Sequence, residues 1–155
     1  MNKISILAAA STTALLLSCL SAAAVETVYK VPSSAPVAEV WKKIGDFCGI
    51  GTWHPAIAKC ELSKDGKERT LTLKSGGTIV EPLVKWNDKA HSYTYRIKTS
   101  PLPVEHYIST LKVVKKGKGS LIIWSAHFKA KGASDAEANK TIEGIFKAGA
   151  DALAM

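Results

Sequence analysis

S-L-I-I-W-S-A-H-F-K-A (120–130), followed after three residues by S-D-A-E-A-N-K-T-I-E-G-I-F-K-A-G-A-D-A-L (134–153), switches from an apolar period of two to a helical one. In the first segment Ile122, Trp124, Ala126 and Phe128 share one side, as in a strand with one buried face. In the second, Ala138, Ile142, Ile145, Phe146, Gly149 and Leu153 form one stripe, and Ser134 with Glu137 has the spacing of a capping box that opens a helix. One long helix with one apolar stripe must lie on something. The sheet that ends at residue 130 is what the chain offers.

Upstream, the alternation recurs in segments separated by turn residues. Val104 to Val114 precedes the solvated turn Lys116-Gly117-Lys118-Gly119. Ala90 to Lys98 places His91, Tyr93, Tyr95 and Ile97 on one face and ends at Pro101 and Pro103. Thr78 to Trp86 turns at Asn87-Asp88, and Glu68 to Lys74 turns at Ser75-Gly76-Gly77. Ile57 to Leu62 runs into Lys64-Asp65-Gly66-Lys67, whose Asp-Gly is a strong hairpin signal. Hairpins at this spacing predict a meander, hence an antiparallel sheet. Pro82 falls inside the fourth strand and cannot donate to a ladder, so a bulge or interrupted pairing is expected there, which would bend the sheet.

Val25 to Val31 has strand composition and is expected to end at Pro32. Ser34-Ala35-Pro36 then opens a helix, with a capping Ser and an early Pro that costs no internal hydrogen bond. Val37, Val40, Trp41, Ile44 and Phe47 follow at helical spacing, Gly49 and Gly51 interrupt them, and Ile50 to His54 leaves room for one short turn before Pro55. The expected fold class is therefore α+β: one strand, two short helices, six strands and a long C-terminal helix. It forms a seven-stranded curved antiparallel sheet around that helix, an arrangement suited to enclosing a cavity.

The first residues carry a different signal. Lys3, the apolar stretch Ile4 to Leu17 and the small residues up to Ala24 match a secretory signal peptide. The apolar stretch is shorter than the roughly 20 residues needed to span a bilayer. Residues 1–24 are thus expected to be removed, giving a periplasmic or secreted chain beginning at Val25, with no stable membrane insertion. Leu16-Leu17-Ser18-Cys19 is an imperfect lipoprotein signal, and a lipidated Cys19 is the minority reading. Residues 25–155 suffice for one domain with a real core and not for two.

The formal charge of +8 comes almost entirely from lysine, with Arg only at 69 and 96. Lysine suits a solvated face, whereas arginine is preferred for forked contacts to phosphate. Nucleic acid is not expected as a partner; the charge points to solubility or to steering toward an acidic protein. Cys48 and Cys60 remain after signal removal. In an oxidising compartment an even, closely spaced pair reads as a disulfide, with two buried free thiols as the alternative. No metal or cofactor is expected, since two thiols without a His at ligand spacing make no site.

Several stretches resemble the helix-grip superfamily that includes START domains, the birch pollen allergen (Bet v 1) type and polyketide cyclase or dehydrase-like proteins (SRPBCC). They are V-W-K-K-I-G-D-F (40–47), G-I-G-T-W-H-P-A-I (49–57), Y-T-Y-R-I (93–97), P-L-P-V (101–104) and L-I-I-W-S-A-H-F (121–128). These stretches resemble the exported bacterial branch of the polyketide cyclase-like family, including the MxaD type found with periplasmic methanol oxidation. The resemblance spans residues 25 to 155. It implies a pocket for an apolar molecule between sheet and helix, without naming the occupant.

The candidate cavity residues are Trp53, His54, Glu81, Tyr93, Tyr95, Tyr107, Trp124, Phe128 and Phe146. Trp53 and His54 follow the short second helix, near where family members have an opening; the competing reading is packing plus a surface polar group. The aromatic residues have concave-face parity, and buried Tyr hydroxyls need partners, which favours Tyr93 and Tyr95 as a polar edge for a ligand. Glu81 shares parity with Ile79 and Leu83, and Arg69 shares that of Leu71 and Leu73. They pair inward, or both lie in water at a strand end. His106 and His127 fall on the outer parity.

Three functions fit. The first is an exported protein that binds a small apolar ligand. The second is an accessory factor docking on an acidic periplasmic redox protein, such as a methanol dehydrogenase or its cytochrome. The third is an enzyme of cyclase or dehydratase type, in which His54, Glu81 and Tyr95 would exchange protons. No nucleophile elbow, phosphate loop, metal motif or cofactor fingerprint supports the third, so no catalytic residue is assigned and a non-enzymatic role is expected.

Overall fold

A computed structural model describes residues 24–155. The expectations for the export signal and for Cys19 lie outside the described residues. The elements follow the predicted order: β1 (Val25–Ser33), α1 (Val37–Ile44), α2 (Ile50–Trp53), β2 (Ile57–Leu62), β3 (Glu68–Leu73), β4 (Thr78–Asn87), β5 (Ser92–Arg96), β6 (Val104–Lys116), β7 (Gly119–Ala130) and α3 (Asp135–Ala154). The strands form one antiparallel sheet in the order β1-β7-β6-β5-β4-β3-β2, so β2 to β7 are a meander and β1 returns to pair with β7. No helix among the described residues is long and apolar enough to cross a membrane.

The alternation read from β7 sets the core. Ile122, Trp124, Ala126 and Phe128 are buried, and cross-strand partners Leu111, Val113 and Ser109 on β6 continue the same inner face. α3 lies against β1 and β7. Its buried residues are Ala138, Ile142, Phe146, Gly149, Ala150 and Leu153, close to the stripe that the sequence shows. The helix begins with the expected capping box: Glu137 N–H donates to Ser134 Oγ at 3.3 Å, and Ser134 N–H donates to Glu137 Oε2 at 2.9 Å. Polar pins fix its position along the sheet. Tyr29 donates to Asp151 at 2.8 Å, and Ser33 donates to the Ala154 carbonyl at 3.1 Å.

Three local expectations need correction. β1 continues through Pro32 to Ser33, because an edge strand has a neighbour on one side only and tolerates a residue without N–H. α1 has Pro36 at its N-cap and no side-chain cap, so Ser34 does not cap it; Ser33 Oγ instead accepts from Ala35 N–H at 3.2 Å. β5 is shorter than Ala90 to Lys98, since His91 adopts a left-handed φ of 47° that keeps the segment before Ser92 in a turn.

The interruption expected at Pro82 is present, on the β5 side only. Pro82 still sits opposite Glu68 of β3. Toward β5 the register slips between Leu83 and Lys85, and the next contact is an isolated bridge from Val80 to Thr99. Val80 and Pro82 aim their backbone at the same neighbour, so the missing N–H falls in that gap.

Candidate functional site

A partly enclosed cavity of about 270 Å³ lies between α3 and the sheet. α2 and its C-cap supply Ile50 and His54; β3 and β4 supply Leu71, Leu73, Ile79 and Glu81; β5, β6 and β7 supply Tyr95, Tyr107 and Trp124; α3 supplies Thr141, Ile142 and Ile145. This size is near the lower end of small-molecule sites and roughly twice an engineered cavity that accepts benzene.

One charged residue faces this apolar space. Arg69 and Glu81 are direct cross-strand partners in the β3–β4 register, both on the inner parity, and they are 1% and 4% exposed. Arg69 Nε donates to Glu81 Oε2 at 2.7 Å, and Arg69 Nη1 donates to the Phe47 carbonyl at 2.6 Å. The guanidinium lies 4.2 Å from the Phe47 ring centre and 4.9 Å from that of Tyr95, so aromatic faces cover it. The inward pairing is therefore the one adopted, and the solvated alternative is not. Burial pushes the Glu81 carboxyl upward from its ordinary range, and the adjacent guanidinium pulls it back. Arg69 Nη2 is buried without a hydrogen-bond partner.

A polar seam continues from this pair across the sheet. Trp124 Nε1 donates to both Tyr95 Oη and Ser109 Oγ at 3.1 Å, and Ser109 donates to the Ser125 carbonyl at 2.8 Å. Burial raises the pKa of Tyr95 and of Tyr107, so both phenols stay neutral at physiological pH. The cavity thus offers a carboxylate and two phenols on an aliphatic wall.

His54 is 3% exposed and is not a surface group. Its Nδ1 accepts from Ala56 N–H at 3.2 Å, which leaves the proton on Nε2, and Nε2 donates to the Ile145 carbonyl in α3 at 3.1 Å. Burial holds its pKa below the ordinary 6.5; the bond to Ile145 works against this, and the charge of Arg69 adds to it. Both ring nitrogens are engaged with backbone, so His54 serves as a strut between the α2–β2 segment and α3. Arg69 holds Oε2 of Glu81, whose carboxylate still lines the cavity.

Five of the nine residues expected at the cavity line it: His54, Glu81, Tyr95, Tyr107 and Trp124. The other four form the layer behind. Phe146 stacks on Trp124 at 4.7 Å, and Phe128 stacks on Tyr107 at 6.0 Å. Trp53 meets Trp124 edge-on and donates to the Ile44 carbonyl at 3.2 Å, satisfying the end of α1. Tyr93 stacks on Trp86 at 5.0 Å and meets Phe47 edge-on, beneath α1. The aliphatic lining was not singled out from the sequence, because Leu71, Ile79 or Ile142 has the same pattern whether it meets another side chain or a void.

Cys48 and Cys60 form a disulfide with Cα atoms 5.5 Å apart, tying the α1–α2 connection to β2 beside the cavity. Gly51 sits against it, where an added Cβ would come within 3.1 Å of Cys60 Cβ. Among the described residues no cluster of His, Cys, Asp and Glu is placed to hold a metal ion.

A seven-stranded curved sheet closed by a C-terminal helix over an apolar cavity defines a helix-grip protein. The sequence profile described as polyketide cyclase / dehydrase and lipid transport matches residues 23–155, and the chain belongs to that family. Solved structures agree. The protein XoxI from Bacillus cereus shares 35% identity and a TM-score of 0.81, over 83% of this chain and 92% of that one. An uncharacterised protein from Bacillus thuringiensis gives 35% identity and a TM-score of 0.80, over 83% and 96%. A protein from Thermobifida fusca gives 27% and 0.74, over 84% and 91%. No match was found among curated proteins.

Proposed function

We propose that this is an exported binding protein that holds a small, mainly apolar molecule beneath α3. The cavity carries the reading: about 270 Å³ of largely aliphatic wall with a carboxylate and two phenols at one side. An apolar guest gains by leaving water, about 25 cal/mol per Å² of apolar surface buried. A single donor on the guest, such as a hydroxyl, would meet Glu81 or a tyrosine oxygen, which sets its orientation. The family's lipid-transport description supports the same class of guest. Native mass spectrometry of protein purified from the exported fraction tests this. The expected result is a bound small molecule that is lost in Ile142→Trp, where a large side chain fills the cavity. Empty protein that also refuses added apolar compounds would refute it.

A second reading has the protein docking on an acidic periplasmic partner, in the manner of the MxaD type. The observation in its favour is the outer face of the sheet, which carries exposed Lys30, Lys85 and Lys112, Lys85 reaching it through the register slip after Leu83. Such association should weaken with salt and fail when these lysines are reversed to glutamate.

A further inference from the structure

The two ends of the sheet are finished differently. At the β2 end α2 sits against the strand: a Cβ on Gly51 would meet Cys60 Cβ at 3.1 Å and Cys60 N at 3.4 Å, and the Cys48–Cys60 disulfide holds it there. At the β1 end no strand follows among the described residues. β1 pairs with β7 in unbroken register from Val25 to Ser33, so its far side is a ladder of backbone groups without a partner strand.

Alternation fixes which groups face outward. The Ser33 carbonyl is turned to β7, since a Cβ on Gly119 would strike it. In an antiparallel ladder alternate residues point the same way, so Thr27, Tyr29 and Val31 also bond β7, while Glu26, Val28, Lys30 and Pro32 turn their backbone to the edge. Two observations agree with this. Pro32, which has no N–H, stands in an outward position, and Asn139 Nδ2 of α3 donates to the Glu26 carbonyl at 3.4 Å. That long contact leaves the carbonyl a second lone pair.

The outward residues are charge-symmetric about Val28. Glu26, Val28 and Lys30 are all exposed, Val28 by 42%. Antiparallel pairing with a second β1, across a two-fold axis at Val28, sets Glu26 of each copy opposite Lys30 of the other and covers Val28 with Val28. The Val28 pair exchanges N–H and C=O bonds, as do Glu26 and Lys30.

The helix beside this edge has the same symmetry. Asn139, Glu143, Lys147 and Asp151 are spaced four apart and form one stripe of α3. Asn139 is bonded to Thr27 and Glu26, and Lys147 and Asp151 to Tyr29, which places the stripe along β1. Antiparallel to its own copy, the stripe brings Glu143 opposite Lys147 and Asn139 opposite Asp151. Glu143 makes no ion pair among the described residues. α3 packs on both β1 and β7. With strands about 4.8 Å apart, two helices so seated stand about 10 Å apart across the axis, a helix-packing distance.

We propose that β1 is the contact edge of a two-fold homodimer, in which a second copy of this chain extends the sheet through β1 and sets α3 beside α3. The interface lies outside the cavity and does not depend on what the cavity holds.

Sedimentation velocity of the wild-type protein, up to roughly 1 mM, tests it, since a contact of this modest area associates weakly. A reversible, concentration-dependent dimer is expected. Lys30→Glu sets like charges against Glu26 on both sides of the axis and should weaken it roughly tenfold. The Glu26→Lys/Lys30→Glu exchange, which has the wild-type net charge, should restore it. Val28→Pro removes an N–H that β7 does not use and should leave a folded monomer. A wild-type monomer at every concentration, a dimer indifferent to Lys30→Glu and Val28→Pro, or an exchange variant that stays monomeric would overturn the proposal.

Discussion

Arg69 and Glu81 face each other across β3 and β4 at 2.7 Å, both sealed from solvent, and Glu81 is the charged group that reaches the cavity wall. Breaking a buried ion pair leaves the surviving charge uncompensated and costs about 3–5 kcal/mol, whereas replacing both partners by apolar residues can be nearly neutral. Arg69→Met should lower the urea-unfolding free energy by that amount, and the Arg69→Met/Glu81→Leu double variant should recover most of it. Equal loss in the single and double variants would show that the pair's packing, and not its charge, matters.

Two glycines of α3 should respond in opposite directions to the same substitution. At Gly149 an added Cβ would come within 2.7 Å of Trp124 Cζ3 and within 2.9 Å of His54 Nε2. Gly149→Ala is therefore expected to cost about 1–3 kcal/mol by overpacking. At Gly144 nothing lies within 4 Å of the new atom, so Gly144→Ala should stabilise the helix by about 0.5–1 kcal/mol. Thermal unfolding of the two variants side by side checks both signs.

His54 makes stability depend on pH in a defined direction. Its pKa in the folded protein is below 6.5, so folding favours the neutral ring. The contribution is complete above pH 6.5 and is lost as the pH falls below that value through the folded pKa. Glu81, raised by burial, acts with the opposite sign, its contribution fading as pH rises above the ordinary carboxyl range. Denaturation midpoints compared between wild type and His54→Asn isolate the histidine: the variant should show a flatter decline below pH 6.5.

The disulfide closes a loop of 12 residues' separation, worth about 3 kcal/mol in the chain-entropy account. Cys48→Ser/Cys60→Ser should unfold at correspondingly lower urea. Because the bridge holds the segment bearing Ile50 and His54, amide exchange in α2 should quicken more than in β6 or β7.

The sequence made the sheet and α3 legible because β7 and α3 have clean periods and a capping box. It also placed Glu81 and the aromatic residues on the correct side of the sheet. Parity, however, gives the face of a strand and says nothing of position along the curl. Tyr93 and Tyr95 are two residues apart on one face, yet Tyr95 reaches the cavity while Tyr93 lies beneath α1, between Trp86 and Phe47. The β1 ending and the first helix cap went astray for a local reason. Pro32 and Ser34 have strong preferences, and an edge position and the Ser33 turn override them.

The central claim is that the space beneath α3 takes an apolar guest. Titrating methyl-labelled protein with 2-naphthol and following the Ile and Leu signals by NMR tests it most directly. Saturable shifts concentrated at Leu71, Ile79, Ile142 and Ile145, absent in Ile142→Trp, are the predicted outcome. Unsaturable shifts, or shifts that map to the outer sheet face and survive that substitution, would contradict it.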